Sequence, residues 1–293
     1  MTFILMQLLN SFSYGALLFT IASGFSLIFG LMKITNMTHV VFYMMGAYVG
    51  YWIHGITGSF LLALIGSCVI TGVVGLIVFR GFLFKLHGNA MRQVLCCLGF
   101  LFFFDDMLLA LFGGYPLRIP SPAPFDASIE IFGFMFPTYR LLLIALGVII
   151  EVALELIVNK TKLGALIRSG VDDEETTRAM GININRLFVL VYVAGTVLAA
   201  GGGVLGGPIL GMEPRMCFTL LPLALAIVII GGRGDLRGTF FASMIIAMID
   251  NFGKVLFPEL SYFTIFLPMA LILVFKPDGL FSKSDKKRRA KSV

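Results

Sequence analysis

The sequence predicts an all-α integral membrane protein with about eight or nine transmembrane helices. Of its 293 residues, 58% are hydrophobic and only 13% are charged, whereas about 25% of the residues of soluble domains are charged. Between Met1 and Phe79 the only lysine, arginine, aspartate or glutamate is Lys33. A soluble fold of this size could not cover so many apolar side chains with polar ones, so the composition suits a lipid bilayer.

The apolar residues fall into runs that are separated by shorter polar stretches. Lipid offers no water to backbone groups, and no run shows the alternation of a barrel strand, so each run is expected to be helical. The runs are residues 3–31, 38–53, 60–79, 93–112, 139–158, 187–206, 217–232, 239–257 and 260–275.

The N-terminal region is predicted to be broken or re-entrant. A helix over residues 3–31 would be roughly 43 Å long, which exceeds a hydrocarbon core of about 30 Å. It must therefore tilt, protrude or break, and Gly24 and Gly30 are the candidate break points. The next run, 38–53, is short for a span. Eight crossings with a re-entrant piece is therefore the alternative to nine crossings.

The positive charges predict the orientation. Of the 22 lysines and arginines, 18 fall in one set of loops and 4 in the other. Because basic loops stay in the cytoplasm, this bias places residues 160–186 and the C-terminus there. We therefore expect a transmembrane domain at 1–275 and a basic cytoplasmic tail at 276–293 that binds anionic lipids. The prolines of the opposite loop, 113–137, predict an irregular connection.

Motifs for catalysis are not found in the sequence. It has no Walker A loop, no H-E-x-x-H and no Ser-His-Asp arrangement, and its three histidines are scattered. The four cysteines lie in apolar runs without the spacing of metal ligands. We expect no cofactor, no metal site and no ATP hydrolysis by this chain.

The most informative stretch is the polar segment at residues 160–186, which lies between two long hydrophobic runs. Residues 172–180 can form about two helical turns, with acidic residues favourably placed at the start and Gly181 as the stop. A short helix at the cytoplasmic surface is the prediction, and an ordinary solvated loop is the alternative.

This segment resembles the cytoplasmic coupling loop of the permease subunits of ATP-binding cassette importers for branched-chain amino acids. Residues 36–39 (N-M-T-H), 43–48 (Y-M-M-G-A-Y), 231–238 and 275–281 resemble other motifs of that family in the same order. Val40 stands where the family usually has glycine. The matching positions of the loop are Lys162, Gly164, Arg168, Ser169, Asp172, Ala179, Gly181, Ile182, Asn183 and Arg186.

The resemblance implies a non-catalytic permease subunit in the cell inner membrane. It implies a second permease subunit, two cytoplasmic ATP-binding subunits and a periplasmic or extracellular substrate-binding protein as partners. The expected cargo is a branched-chain or related hydrophobic amino acid, although related permeases carry other small solutes such as urea and amides. The residues expected to couple to the ATPase are Gly164, Arg168, Asp172, Glu175, Ala179, Gly181 and Ile182.

Polar residues inside the apolar runs are candidates for the translocation path, because charges in a membrane are costly. Structural pairing is the alternative for each of them, and at most one of Asp105 and Asp106 can face a path. The candidates are Asn36, His39, Asp105, Asp106, Glu151 and Asp250.

The same carboxylates support an alternative function, a proton-coupled secondary transporter of small solutes such as amino acids, amides or urea. That alternative leaves the coupling-like segment unexplained. An integral membrane enzyme is a third class, and no catalytic constellation supports it.

Overall fold

The computed structural model describes residues 2–32, 36–86, 88–131, 133–172, 174–232, 234–256, 258–260 and 263–276. Lys33, Asp173, residues 277–281 of the terminal motif and the tail beyond Lys276 lie outside these ranges. The α-helices are α1 (Thr2–Met32), α2 (His39–Thr57), α3 (Phe60–Gly81), α4 (Ala90–Phe112), α5 (Thr138–Lys160), α6 (Lys162–Asp172), α7 (Glu174–Ala179), α8 (Ile184–Leu210), α9 (Met216–Gly231), α10 (Leu236–Leu256) and α11 (Phe263–Phe275).

The predicted all-α membrane architecture is confirmed. Within the described ranges, six helices are long and apolar enough to cross a membrane, namely α1, α3, α4, α5, α8 and α10. The other predicted apolar runs correspond to α2, α9 and α11, which are shorter. The helices that lie at the outside of the bundle expose large apolar side chains, as a lipid-facing surface requires.

Helix α8 occupies the centre of the bundle and contacts α1, α2 and α3, while α1 also packs along α10. Small residues permit this close approach. A Cβ atom at Gly46 would meet the backbone of Ala200, and one at Gly203 would meet the backbone of Tyr43. Both glycines belong to G-x-x-x-G patterns, and here these patterns serve packing within the subunit.

Helix α1 runs without interruption from Thr2 to Met32, so Gly24 and Gly30 are not break points. Gly24 lies instead against Gly195 of α8, where a side chain would meet backbone atoms. The packing of the two helices offsets the modest cost of glycine in a helix. The described residues 36–38 are not helical, and α2 begins directly after them at His39.

The predicted irregular loop at 113–137 contains a small antiparallel hairpin of β1 (Ser128–Ile131) and β2 (Phe134–Pro137). Gly133 lies in the turn with φ of 81°, which a glycine adopts at little cost. Earlier in the loop, Leu117 exchanges two backbone hydrogen bonds of 2.9 and 2.8 Å with Met212. These bonds fix the loop to the turn that follows α8.

Candidate functional site

Residues 160–186 form two consecutive helices, α6 and α7, at the end of α5. Thr161 has extended backbone angles and so terminates α5. Its hydroxyl donates to the carbonyl of Ile157 at 2.5 Å and accepts a hydrogen bond from the backbone N–H of Gly164 at 3.2 Å. One side chain thus ends α5 and begins α6. The sequence predicted the helix at α7, but it did not predict α6.

Gly164 and Arg168 hold α6 against the end of α5. Gly164 is buried, and a Cβ atom there would collide with the carbonyl of Val158. The Arg168 guanidinium donates to that same carbonyl and to Asn159 Oδ1 at 3.4 Å. A cation at a helix C-terminus is also favoured by the helix dipole. Both residues therefore have a role within the subunit, and their contact with an ATPase stays a prediction.

The outer side of the same segment is exposed. Glu175, Ala179 and Gly181 are exposed, and Ile182 is half-buried. Gly181 follows α7 with φ of 80°, so the predicted glycine stop is confirmed. Asp172 is the last residue of α6. We call Glu175, Ala179, Gly181 and Ile182 the coupling surface.

Apolar side chains lie in and beside the coupling surface, although this part of the chain is polar. Met180, which sits between Ala179 and Gly181, is 62% exposed. The inner side of α7 is anchored, because Thr177 is 1% exposed and α7 contacts both α6 and α8. An anchored segment with an exposed mixture of apolar and charged groups has the composition of a protein-binding surface.

An ion pair connects the end of α5 to the start of α10. Arg237 pairs with Glu155, whose side chain is 20% exposed, whereas that of Arg237 is 68% exposed. Together with Asn159 and Arg168 these residues line an open cavity of about 580 Å³. Sequence patterns did not reveal this pair, because the two residues lie 82 positions apart. Glu151, one turn earlier on α5, is half-buried beside Glu155.

A second group of polar residues lies inside the bundle, where α2 begins. His39 is fully buried, donates a hydrogen bond of 3.0 Å from Nε2 to the carbonyl of Ile21, and stacks on Phe25. Asn36 is 2% exposed, and its Oδ1 lies 3.4 Å from the Cys97 thiol that donates to it. Among the described residues, Asn36 Nδ2 and His39 Nδ1 have no hydrogen-bond partner.

The neighbouring aspartates Asp105 and Asp106 point in different directions, as adjacent helical residues must. Asp105 is 3% exposed and accepts a hydrogen bond of 3.4 Å from the thiol of Cys217 on α9. Asp106 is exposed on the outer side of α4. Only Asp105 can therefore contribute to the interior of this subunit.

Asp250 is 1% exposed and pairs with Lys254 of the same helix at 2.6 Å. Its second oxygen, Oδ1, has no partner in the part of the chain that the structure describes. The adjacent Asn251 donates to Gln7 and Ser11 of α1 at 2.9 and 3.0 Å. In that part of the chain no hydrogen bond or ion pair joins Asp105, Glu151 and Asp250 to one another, and no group of three histidines, cysteines or carboxylates forms a metal site.

Comparison with known proteins agrees with this architecture. Residues 7–275 match the family described as "Branched-chain amino acid transport system / permease component". The chain is 24% identical to the high-affinity branched-chain amino acid transport system permease protein BraD of Pseudomonas aeruginosa, over 96% of both chains. It is also 24% identical to the permease protein LivH of Escherichia coli K12, over 97% of both chains.

More distant similarities extend to one further permease and to a solved structure. The ribose import permease protein RbsC of Escherichia coli K12 is 27% identical over 57% of this chain and 48% of its own length. The solved structure of PsaBC from Streptococcus pneumoniae in complex with Fab has a TM-score of 0.51 and 15% identity, and the match covers 95% of this chain and 94% of that one. That likeness concerns the fold alone.

These relatives do not favour the alternative of a proton-coupled secondary transporter. Relatives named as permeases, together with several apolar helices, make the chain a multi-pass membrane protein. The chain belongs to the family of branched-chain amino acid transport system permease components.

Proposed function

We propose that this chain is the transmembrane subunit of an ATP-binding cassette importer for branched-chain or related hydrophobic amino acids. It has no catalytic role. Two separate cytoplasmic subunits hydrolyse ATP, a second permease subunit completes the pore, and a binding protein delivers the solute from outside. Family membership and the names of the full-length relatives support this proposal.

The observation that carries the proposal is the arrangement of residues 160–186. Their inner side is fixed to α5 through Gly164 and Arg168, and their outer side presents the coupling surface. We assign contact with the ATPase to Glu175, Ala179, Gly181 and Ile182. Asp172, at the end of α6, belongs to the same contact. Gly164 and Arg168 are positioning residues that pass a movement of the coupling surface to α5.

A movement of the coupling surface reaches the membrane by two steps. The first step is from α6 to α5, because Arg168 and Val158 are joined by a hydrogen bond. The second is from α5 to α10, because Glu155 and Arg237 are joined by an ion pair. ATP can shift the permease between two conformations only if the ATP-binding subunits bind one conformation more tightly than the other. The two contacts described above connect the coupling surface to the membrane-spanning helices that change conformation.

We propose that the solute passes near the start of α2, where Asn36 and His39 supply polar groups among buried apolar ones. Asp105 and Asp250 contribute buried carboxylates to the interior. Asp106 and Glu151, also candidates from the sequence, are less buried than these. Asp106 is placed to face lipid or the second permease subunit.

The expected cellular location is the inner membrane, with the coupling surface and the C-terminus in the cytoplasm. The bias of lysine and arginine supports this orientation. Residues 1–275 form the permease domain, and the basic tail at 276–293 binds anionic lipids at the cytoplasmic surface.

Reconstitution tests the function directly. The chain is co-purified with the second permease and the ATP-binding subunits, placed in proteoliposomes and supplied with its binding protein and labelled leucine. We expect uptake that requires ATP and the binding protein and that is insensitive to a proton ionophore. Uptake by this chain alone, driven by a proton gradient without ATP-binding subunits, would contradict the proposal.

A further inference from the structure

A basic cavity lies at the end of the bundle that carries α6 and α7, beside the coupling surface. It has a volume of about 510 Å³ and lies between the end of α3 and the start of α8. Its lining residues are Arg80, Phe84, Asn183, Asn185, Arg186 and Val189. Arg80 is in the last turn of α3, and Arg186 is in the first turn of α8.

The charge of this cavity is not compensated within the described ranges. Neither Arg80 nor Arg186 has an ion-pair partner there, and no aspartate or glutamate is among the described lining residues. The side-chain oxygen of Asn183 already accepts from the N–H of Arg186 at 3.1 Å. The cavity's attraction for an anion therefore comes mainly from two guanidinium groups, which bind phosphate oxygens in pairs.

An apolar stripe on α3 lies next to Arg80, which lines the cavity. Phe84 and Val189 also line the cavity, and the α3 residues Val69, Val73 and Ile77 are 59, 52 and 60% exposed. These three residues recur every four positions, so they form one stripe that covers about 12 Å along the helix and ends near Arg80. A soluble anion would use the arginines and leave this stripe uncovered.

We propose that the cavity binds the headgroup of an anionic phospholipid, with an acyl chain along Val69, Val73 and Ile77. The two arginines hold the phosphate at the membrane boundary, and the stripe on α3 covers the chain. Basic pockets between membrane helices are known to select such headgroups. The described lining of this site uses no residue of the basic tail, and the proposal does not depend on which solute the subunit carries.

Native mass spectrometry of the purified full-length chain tests the proposal. Bound phosphatidylglycerol is counted against phosphatidylethanolamine for the natural chain and for the double variant Arg80→Gln/Arg186→Gln. We expect about a 25-fold loss of phosphatidylglycerol affinity, since each basic residue near an anionic membrane surface contributes roughly fivefold. The charge-keeping variant Arg80→Lys/Arg186→Lys should bind phosphatidylglycerol more tightly than the glutamine variant and less tightly than the natural chain, because an ammonium keeps the charge but not the paired hydrogen bonds.

A matched control is Lys85→Gln/Arg92→Gln, which removes two positive charges from the same end outside the cavity. This control should change the affinity less than threefold. Equal losses in both double variants, or none in the first, would overturn the proposal. Equally strong binding of inorganic phosphate at millimolar concentration would also overturn it, because the occupant would then be a free anion. Finally, loss of ATPase binding in Arg80→Gln/Arg186→Gln with lipid retained would identify the cavity as a protein contact.

Discussion

Two charged regions of this subunit are built in different ways. At the surface, Arg168, Glu155 and Arg237 connect three different helices. The side chains of Arg168 and Arg237 are exposed, and that of Glu155 is 20% exposed. In the interior, Asp105 and Asp250 are almost fully buried, and Asp250 pairs within its own helix. Because exposed ion pairs add little to stability, the surface contacts of Arg168, Glu155 and Arg237 are not needed to hold the fold together. They are suited instead to joining helices that move together. The second set, Asp105 and Asp250, makes its contacts inside the bundle.

The largest effect is expected at the junction of α5 and α6. Gly164→Ala places a Cβ atom against the carbonyl of Val158, so α6 must shift away from α5. Overpacking of this kind costs about 1–3 kcal/mol, and we expect ATP-driven uptake to fall about tenfold or more. Uptake in proteoliposomes is the measurement. Gly99→Ala, at a glycine with open space around it, is the control and should leave uptake unchanged.

A smaller effect is expected from the ion pair between α5 and α10. Glu155→Gln and Arg237→Gln should each lower the uptake per ATP hydrolysed by about threefold to fivefold. Their thermal stability should change little, because an exposed pair contributes only about 0–1 kcal/mol. The exchange variant Glu155→Arg/Arg237→Glu should recover part of the coupling. Lys160→Gln, a charge removed from the same end of α5, is the control.

If the exchange variant recovers nothing, or if the single variants lose stability and coupling in parallel, the pair does not transmit motion. The proposed difference between surface contacts that transmit motion and contacts inside the bundle would then be wrong.

The smallest effects distinguish the neighbouring aspartates. Asp105→Asn weakens the hydrogen bond from Cys217, and we expect a loss of about 1 kcal/mol, the usual net contribution of one hydrogen bond. Asp106→Asn changes an exposed group and should stay within about 0.5 kcal/mol of the natural chain. Thermal unfolding in detergent measures both. A larger loss in Asp106→Asn would show that this residue contacts a partner subunit.

The sequence predicted the helices and the exposed segment well, because both depend on local patterns. The apolar runs correspond to helices, and Gly181 ends α7 as its position suggested. The sequence also indicated that Asp105 and Asp106 could not both face inward. These predictions need only the period of a helix and the conformational freedom of glycine.

What the sequence did not predict depends on contacts between distant residues. The fold of α6 onto α5 rests on a backbone carbonyl, Val158, which no side-chain pattern reveals. One signal was available, since Leu163, Leu166 and Ile167 recur at helical spacing. Gly24 and Gly30 were named as candidate break points of α1, and α1 does not break at either. For Gly24, the contact that explains the glycine, with Gly195, lies on another helix.

The coupling surface is proposed to contact the ATP-binding subunits in the cytoplasm. The test introduces Ala179→Cys into a chain that lacks its four natural cysteines. The rate at which a membrane-impermeant maleimide modifies the new cysteine is then measured. We expect rapid labelling only in inside-out vesicles, and at least fivefold slower labelling when the ATP-binding subunits are present. Ser121→Cys, in the loop at the other end, should show the opposite sidedness and no protection. Labelling of Ala179→Cys from outside, or equal rates with and without the ATP-binding subunits, would contradict the account.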